Sequence, residues 1–423
     1  MTITLRTGFL LAAGAAFATS LAAQQASTPG ARRVLDDVRY LASDALEGRL
    51  VGTAGNDSAA AYIARELRRI GLRPGGEAGS YFQRWTIAGT TATRSAGVVD
   101  RPARNVVAIL PGADRRLRGQ AVVVGAHFDH LGRSNYGDPN PDSVPQIHNG
   151  ADDNASGTAA VLEIARLLRA ARPRPARTVV FAFFDAEEEG ALGSARYAGQ
   201  PAVPLDSTVA MVNLDMVGRL QNRRLLALGA LSATEWRPLL DSVNATHGFD
   251  LRASGDGWGA SDHTAFFARK RPVLHFFTDV HTDYHRASDD WERVNAEGIA
   301  DVATFAADLV LRLAARQGPL TFVDAPPPAP VAAASGARPS LGTIPDMASE
   351  PGGVLLQGVR AGSPAETAGI RAGDVLIGMG EHVIGSLQDF QNALMRFRPG
   401  DRVEVRVRRG DQTLTLPVVL GGR

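Results

Sequence analysis

The sequence predicts an α/β protein with a mixed, mostly parallel sheet flanked by helices, joined to a second, small β-rich domain. Three observations predict it. Short, wholly apolar runs alternate with helical patterns from about residue 31 to residue 316, and runs apolar on both faces mark strands covered from both sides. A Pro/Ala-rich break, Asp324-Ala-Pro-Pro-Pro-Ala-Pro through Ala337, then interrupts this rhythm. Beyond it come short alternating runs punctuated by glycine. At 423 residues the chain is in any case too long for one ordinary domain.

The elements follow in order. Residues 31–43 and 56–72 read as helices; in the second, Tyr62, Ile63, Leu67 and Ile70 form an apolar stripe and Gly71 ends it. Residues 106–110 and 121–125 read as strands, 155–171 as a helix closed before Pro173, and 179–184 as a buried strand followed by a helix from about Glu189. Strands are expected at 209–214, 224–228 and 273–277, with helices at 233–246 and 295–315. Strands alternating with helices imply a sheet with helices on both faces. In the small domain, strands at 353–359, 375–379, 403–408 and 413–419 surround short helices near 364–368 and 387–396.

Lys+Arg 45 against Asp+Glu 44 leaves a net charge of +1, so there is no electrostatic footprint for nucleic acid. Arg6, the small apolar stretch 8–18 and Ser20-Leu21-Ala22-Ala23-Gln24 read as an export signal at residues 1–23, too short for a spanning helix. The expected location is periplasmic or secreted, with no membrane association after signal cleavage. With no cysteine there is no disulfide framework. The expected domains are 31–318, a linker at 319–337, and 338–421.

Five residues of metal-ligand type occur in one ordered series: His127 in GAHFDH, Asp153 in GADDNASG, Glu188 in DAEEEG, Asp215 in NLDMVG and His285 in TDYHRASD. Three of them fall just after an expected strand, where sites in open α/β sheets gather. Two imidazoles and three carboxylates, one able to bridge, suit two divalent ions. Glu187 is a spare carboxylate beside the third ligand, placed to act as general base on a metal-activated water. The combination predicts a hydrolase. Singly, each residue has an ordinary explanation: a strand-end or loop histidine, a helix cap for Asp153, an acidic first helical turn for Glu187 to Glu189. Jointly those explanations fail. Asp152 and Glu189 leave the register of bridge, base and ligand open by one position. His281, Asp283 and Asp262 are further ionisable residues nearby, whereas His130 and His148 read as surface or loop residues.

These motifs, with SDH at 261–263, resemble the M28 family of zinc aminopeptidases over roughly Arg33 to Arg316. The resemblance implies a zinc-exopeptidase type of fold, two Zn2+ per chain and peptide substrates with a free N-terminus. It implies that Asp153 bridges, that Asp215 goes with His127 and that Glu188 goes with His285. By the same likeness Glu187 is the general base, Tyr284 helps hold the developing oxyanion, Asp129 orients His127, and Ser261 supports His285. The segment Leu341-Gly342-Thr343-Ile344 followed by GVLLQGVRAGSPAETAGIRAGDVLIGMG is similar to a PDZ domain. That likeness implies that the amides of Leu341, Gly342, Thr343 and Ile344 receive the terminal carboxylate of a peptide or protein, although Ser340 and Ile344 depart from the commonest Gly-Leu-Gly-Phe loop. Three alternatives stay open: a carboxypeptidase, a glutaminyl cyclase on the same scaffold, or a non-catalytic peptide-binding protein acting through the PDZ-like domain. An intact Glu187 speaks against the last.

Overall fold

The computed structural model describes residues 26–89, 100–135, 144–327, 339–347 and 352–422. The expected export signal, residues 328–337 of the expected linker and residue 338 lie outside the described residues. The larger part opens with helix α1 (Pro29–Leu41), whose first turn is capped by Thr28, and α2 (Ala54–Ile70), capped by Thr53 and closed by Gly71 at φ 82°. Strands β1 (Arg73–Pro74), β2 (Phe82–Ile87), β3 (Arg101–Leu110) and β4 (Ala121–His127) follow. Then come α3 (Gly157–Ala170), β5 (Thr178–Phe184), α4 (Leu192–Gly199), β6 (Thr208–Leu214) and β7 (Arg224–Leu228). The series ends with α5 (Trp236–His247), β8 (Asp250–Ser254), α6 (His263–Phe267), β9 (Val273–Phe277) and α7 (Ala296–Ala315).

These nine strands form one sheet in the order β1-β3-β5-β4-β6-β9-β7-β8, with β2 also on β3. The central four, β5-β4-β6-β9, run parallel, and antiparallel pairs join them to β3 and to β7. The apolar runs are continuous because both faces are covered. Val122, Val124, Val179 and Phe181 join the core under α1, α2, α3, α5 and α7, while Val123, Val180, Ala182 and Phe184 join a second core with Tyr197 of α4 and Phe266 of α6. Each such Val or Phe side chain contributes about 1.5–3 kcal/mol by leaving water.

The structure departs from the sequence expectations in a few places. Strands β2 and β8 and helix α6 were not foreseen. Helix α4 begins at Leu192 rather than near Glu189, because Glu187–Gly190 form a turn onto Ala191, which is left-handed at φ 56°. The acidic run is therefore not a helical first turn. Asp153 is not the cap of α3 either; it lies in a separate turn, Ala151–Ser156, in which Asn154 Oδ1 accepts from Gly157 N.

The smaller part has its own core, including Leu341, Leu356, Leu376, Phe390 and Val405. Its strands β10 (Thr343–Pro345), β11 (Val354–Val359), β12 (Val375–Met379), β13 (Arg402–Arg409) and β14 (Gln412–Val419) pair antiparallel in that order. Strand β10 ends the row. Helices α8 (Pro364–Thr367), capped by Ser363, and α9 (Leu387–Leu394) complete it. The two parts touch directly after β10. Arg224 of β7 donates to both oxygens of Asp346 at 2.7 Å, Gln357 Nε2 donates to Asp279, and Met347 packs against the cluster of Met216, Leu226 and Phe277.

A stacked pair of buried imidazoles, His263 of α6 and His275 of β9, lies between sheet and helix with ring centroids 4.7 Å apart. Burial pushes His263 down to about 4; burial, with His263 beside it, pushes His275 down to about 3. Both rings are neutral in the fold, while the unfolded chain protonates them near 6.5. Their contribution is therefore complete above about pH 6.5 and lost as pH falls toward 4, by up to about 1.4 kcal/mol per ring per pH unit. Urea unfolding of metal-free protein between pH 7 and pH 4.5 is expected to show a smaller acid loss in His263→Phe than in wild type. Equal losses would refute the assignment.

Candidate metal centre

Three adjacent parallel strands deliver the first candidate ligands. His127 is the last residue of β4, Asp185-Ala186-Glu187-Glu188 follows β5, and Asp215 follows β6. Asp153 enters from the turn before α3, and His285 from the loop after β9. All five side chains meet in one buried cluster. His127 Nε2 is 3.3 Å from Asp153 Oδ1 and 3.4 Å from Asp215 Oδ1. His285 Nε2 is 3.0 Å from Asp153 Oδ2 and 3.2 Å from Glu188 Oε1. The two oxygens of Asp153 thus face opposite imidazoles.

These spacings fit metal ligation. Two ligand atoms each about 2.0–2.1 Å from one zinc ion at a tetrahedral angle lie roughly 3.3 Å apart. Asp215 Oδ1 is buried without a hydrogen-bond donor, an expensive state for a carboxylate unless a cation serves it. Opposite charges within the cluster do part of that work. Burial alone would lower His127, but Asp215, Glu187 and neighbouring carboxylates hold it well above its usual range. His285 is likewise raised to about 10, against burial, chiefly by Glu188 and Asp153. Burial would raise Asp153 and Glu188, yet the facing imidazoles keep both below the ordinary carboxylate range. Glu187 goes the other way. Burial raises it well above its usual value, His127 opposes this, and the charges of Glu188, Asp262 and Asp215 reinforce it.

The surrounding shell sets the register. Asp152 turns away from the cluster, accepting from Gly218 N at 2.6 Å and lying 3.0 Å from His281 Nε2, which leaves Asp153 as the residue between the two halves. Glu189 pairs with Arg101 at 3.0 Å, which leaves Glu188 in the cluster and Glu187 half-buried beside it. Asp129 lies under His127. Its backbone carbonyl is 3.2 Å from Nδ1 and its Oδ1 is 3.7 Å away, while its carboxylate accepts from the amides of Glu187 and Glu188. Tyr284 stacks on the His285 ring at 3.9 Å.

Two expectations are corrected. Ser261 does not support His285; its hydroxyl donates to Asp215 Oδ2 at 2.8 Å and accepts from Asn213, because α6 starts beside β6. His130 and His148 are not surface residues. His130 is fully buried with Nδ1 2.9 Å from Glu188 Oε1, and His148 is buried with Nε2 3.1 Å from the Ser134 carbonyl. Two supporting residues were missed altogether. Arg49, fully buried, donates to the carbonyls of Phe128, Asn149 and Gly150, tying the loop after His127 to the turn before Asp153. Asp289 accepts from the amides of Asp152 and Asp153 and from Arg219. Asp289 closes the HTDYHRASD motif, a signal that could have found it; nothing local marks Arg49.

Comparison with known proteins agrees with this architecture. Residues 105–310 match the model of peptidase family M28, and residues 339–420 match that of the PDZ domain. The chain thus carries an M28 peptidase domain followed by a PDZ domain. Aminopeptidase YwaD of Bacillus subtilis is 31% identical over 167 residues, 37% of this chain and 36% of that protein. The chain spans less than half the length of the curated relatives it matches. Among solved structures, a Zn-dependent exopeptidase from Parabacteroides distasonis superposes with a TM-score of 0.54 at 22% identity, covering 69% of this chain and all of that one. A glutaminyl cyclase from Porphyromonas gingivalis superposes with a TM-score of 0.54 at 20% identity, covering 66% of this chain and 96% of that one. These likenesses define the fold of the larger domain as of the zinc-exopeptidase type.

Proposed function

We propose that this chain is an exported dinuclear zinc aminopeptidase that removes residues from the free N-termini of peptides. The observation that carries the reading is Asp153, whose two oxygens face His127 with Asp215 on one side and His285 with Glu188 on the other, beside an unligated Glu187. A pair of zinc ions held there would act as Lewis acids and lower the pKa of a bound water toward neutrality. Glu187 takes the proton of the attacking water and passes it to the leaving amine, a task suited to a carboxylate that burial makes more basic than usual. Tyr284 steadies the oxygen of the scissile carbonyl, and Asp129 fixes the imidazole of His127 from below. Export rests on the composition of residues 1–23. Among the described residues no helix is long and apolar enough to cross a membrane.

The PDZ domain recruits the peptide. The side chains of Leu341, Thr343 and Ile344 are buried, so a ligand would pair with the backbone edge of β10, the end strand of its sheet. A peptide added antiparallel with its C-terminus at Leu341–Gly342 runs toward Asp346 and Met347. Met347 and Tyr284 pack on the same apolar cluster of Met216, Leu226 and Phe277, and the Tyr284 ring stacks on His285, so a peptide bound this way has its free end on the side of the metal cluster. Arg224→Ala, which breaks the contact with Asp346, is expected to raise KM for peptides of ten or so residues about tenfold or more and to leave a short chromogenic amide unchanged. Equal effects on both substrates would reject recruitment.

The test of the main reading is zinc-loaded protein on Leu-p-nitroanilide beside its N-acetylated counterpart, with metal measured on the same sample. Cleavage of the free amine alone, abolished by chelation, supports an aminopeptidase. Cyclisation of an N-terminal glutaminyl peptide without hydrolysis, or release from the C-terminus, moves the assignment to the other enzymes of this scaffold. A chain that binds no metal overturns it.

A further inference from the structure

We infer that His130 is a sixth metal ligand, making the two ion positions of the cluster unequal; this rests on the dinuclear reading above. The ring is completely buried, and neither nitrogen has a hydrogen-bond partner of acceptable geometry. A buried imidazole in that state costs stability unless something serves its lone pair or its proton. Its Nδ1 points into the cluster, 2.9 Å from Glu188 Oε1 and 3.9 Å from Asp153 Oδ2. These distances bracket the roughly 3.3 Å between two ligands of one zinc ion. His130, Asp153 and Glu188 by themselves form a group able to hold an ion, as His127, Asp153 and Asp215 do on the other side.

The backbone is built to admit this ring. The His130 amide is tied to the carbonyl of Arg49, the same residue that clamps Phe128, Asn149 and Gly150. Gly150 lies against the imidazole so closely that a Cβ there would come within 2.5 Å of His130 Cγ and Cδ2. The ring also lies edge-on to His285, with centroids 5.7 Å apart. One ion position therefore has a single imidazole, His127, with Asp153 and Asp215. The other has two, His130 and His285, with Asp153 and Glu188. Imidazole is a stronger zinc donor than carboxylate oxygen at neutral pH, so the His130 side is the tighter position and fills first.

The experiment compares wild type, His130→Ala and His130→Asp by zinc titration against graded metal buffers, by the visible spectrum of the cobalt-substituted proteins, and by thermal unfolding of the metal-free forms. Wild type is expected to bind two ions. His130→Ala is expected to keep one with wild-type affinity and to weaken the other by more than the roughly 10–100-fold that loss of an outer partner costs. Its cobalt spectrum changes at that one position, and His130→Asp, which still offers a ligand atom, recovers part of the affinity. Two ions held with wild-type affinity and an unchanged spectrum would overturn the inference. So would an equal loss at both positions together with a lower melting temperature of the metal-free variant, which marks a packing role. A wild-type chain that binds no metal is a distinct outcome and removes the dinuclear reading itself.

Discussion

Exchange of Glu187 for Gln is expected to lower kcat by roughly 10²–10⁴-fold while zinc content and KM stay near wild type. The amide has the size of the carboxylate and cannot accept the proton of an attacking water. The backbone of residue 187 is held independently by its amide on Asp129 Oδ1 at 3.0 Å, so the turn survives the exchange. The pH profile gives a second reading of the same residue. Burial and the surrounding carboxylates raise Glu187, and a base works only when ionised. Activity therefore falls as pH drops through its pKa, and the residual activity of Glu187→Gln loses that acid limb. Unchanged turnover with both ions bound would discard the base assignment; loss of the ions would show that residue 187 serves the metal instead.

How far the sequence could be read depended on whether a residue's partners were local. Strands such as Thr178–Phe184 and Val273–Phe277 were legible because a run buried on both faces has to be apolar throughout. The residues that meet in the cluster were legible because strand ends announce themselves and the motifs follow immediately. Strand β2, FQRWTI, mixes Arg and Gln with apolar residues because, among the described residues, it pairs with β3 alone and leaves Arg84 and Thr86 exposed, so its alternation was too weak to stand out. The partner of Ser261 was misassigned because the choice between Asp215 and His285 is made by how α6 docks on β6, which no spacing records. His130 was misplaced for a related reason. A polar residue three positions past a strand end reads as loop, yet Arg49, far away in the chain, folds that loop inward over the cluster. The position of Glu189 depends on a distant partner too, Arg101, which pairs with it and leaves Glu188 facing the cluster.

Exchange of Asp153 for Ala is expected to weaken zinc binding at both positions together, most at the half left with only His127 and Asp215, and with it to remove nearly all measurable hydrolysis. The prediction is sharp because the segment does not depend on this side chain for its shape. Asp289 holds the amides of residues 152 and 153, Asn154 holds Gly157 N and the Leu214 carbonyl, and Arg49 fixes the carbonyls on the near side. The metal-free variant should therefore fold, with secondary structure like wild type. What it loses is the group lying between His127 and His285. In wild type, zinc at about 100 times its dissociation constant adds about 2.7 kcal/mol of stability per site by mass action; in Asp153→Ala at the same zinc concentration that gain shrinks at both sites. Mutation of Asp215 or Glu188 removes a carboxylate from one half only, and so is expected to spare one ion. A variant at 153 that still melts at a higher temperature with zinc, as much as wild type does, would mean that the two halves hold their ions separately and that no residue bridges them.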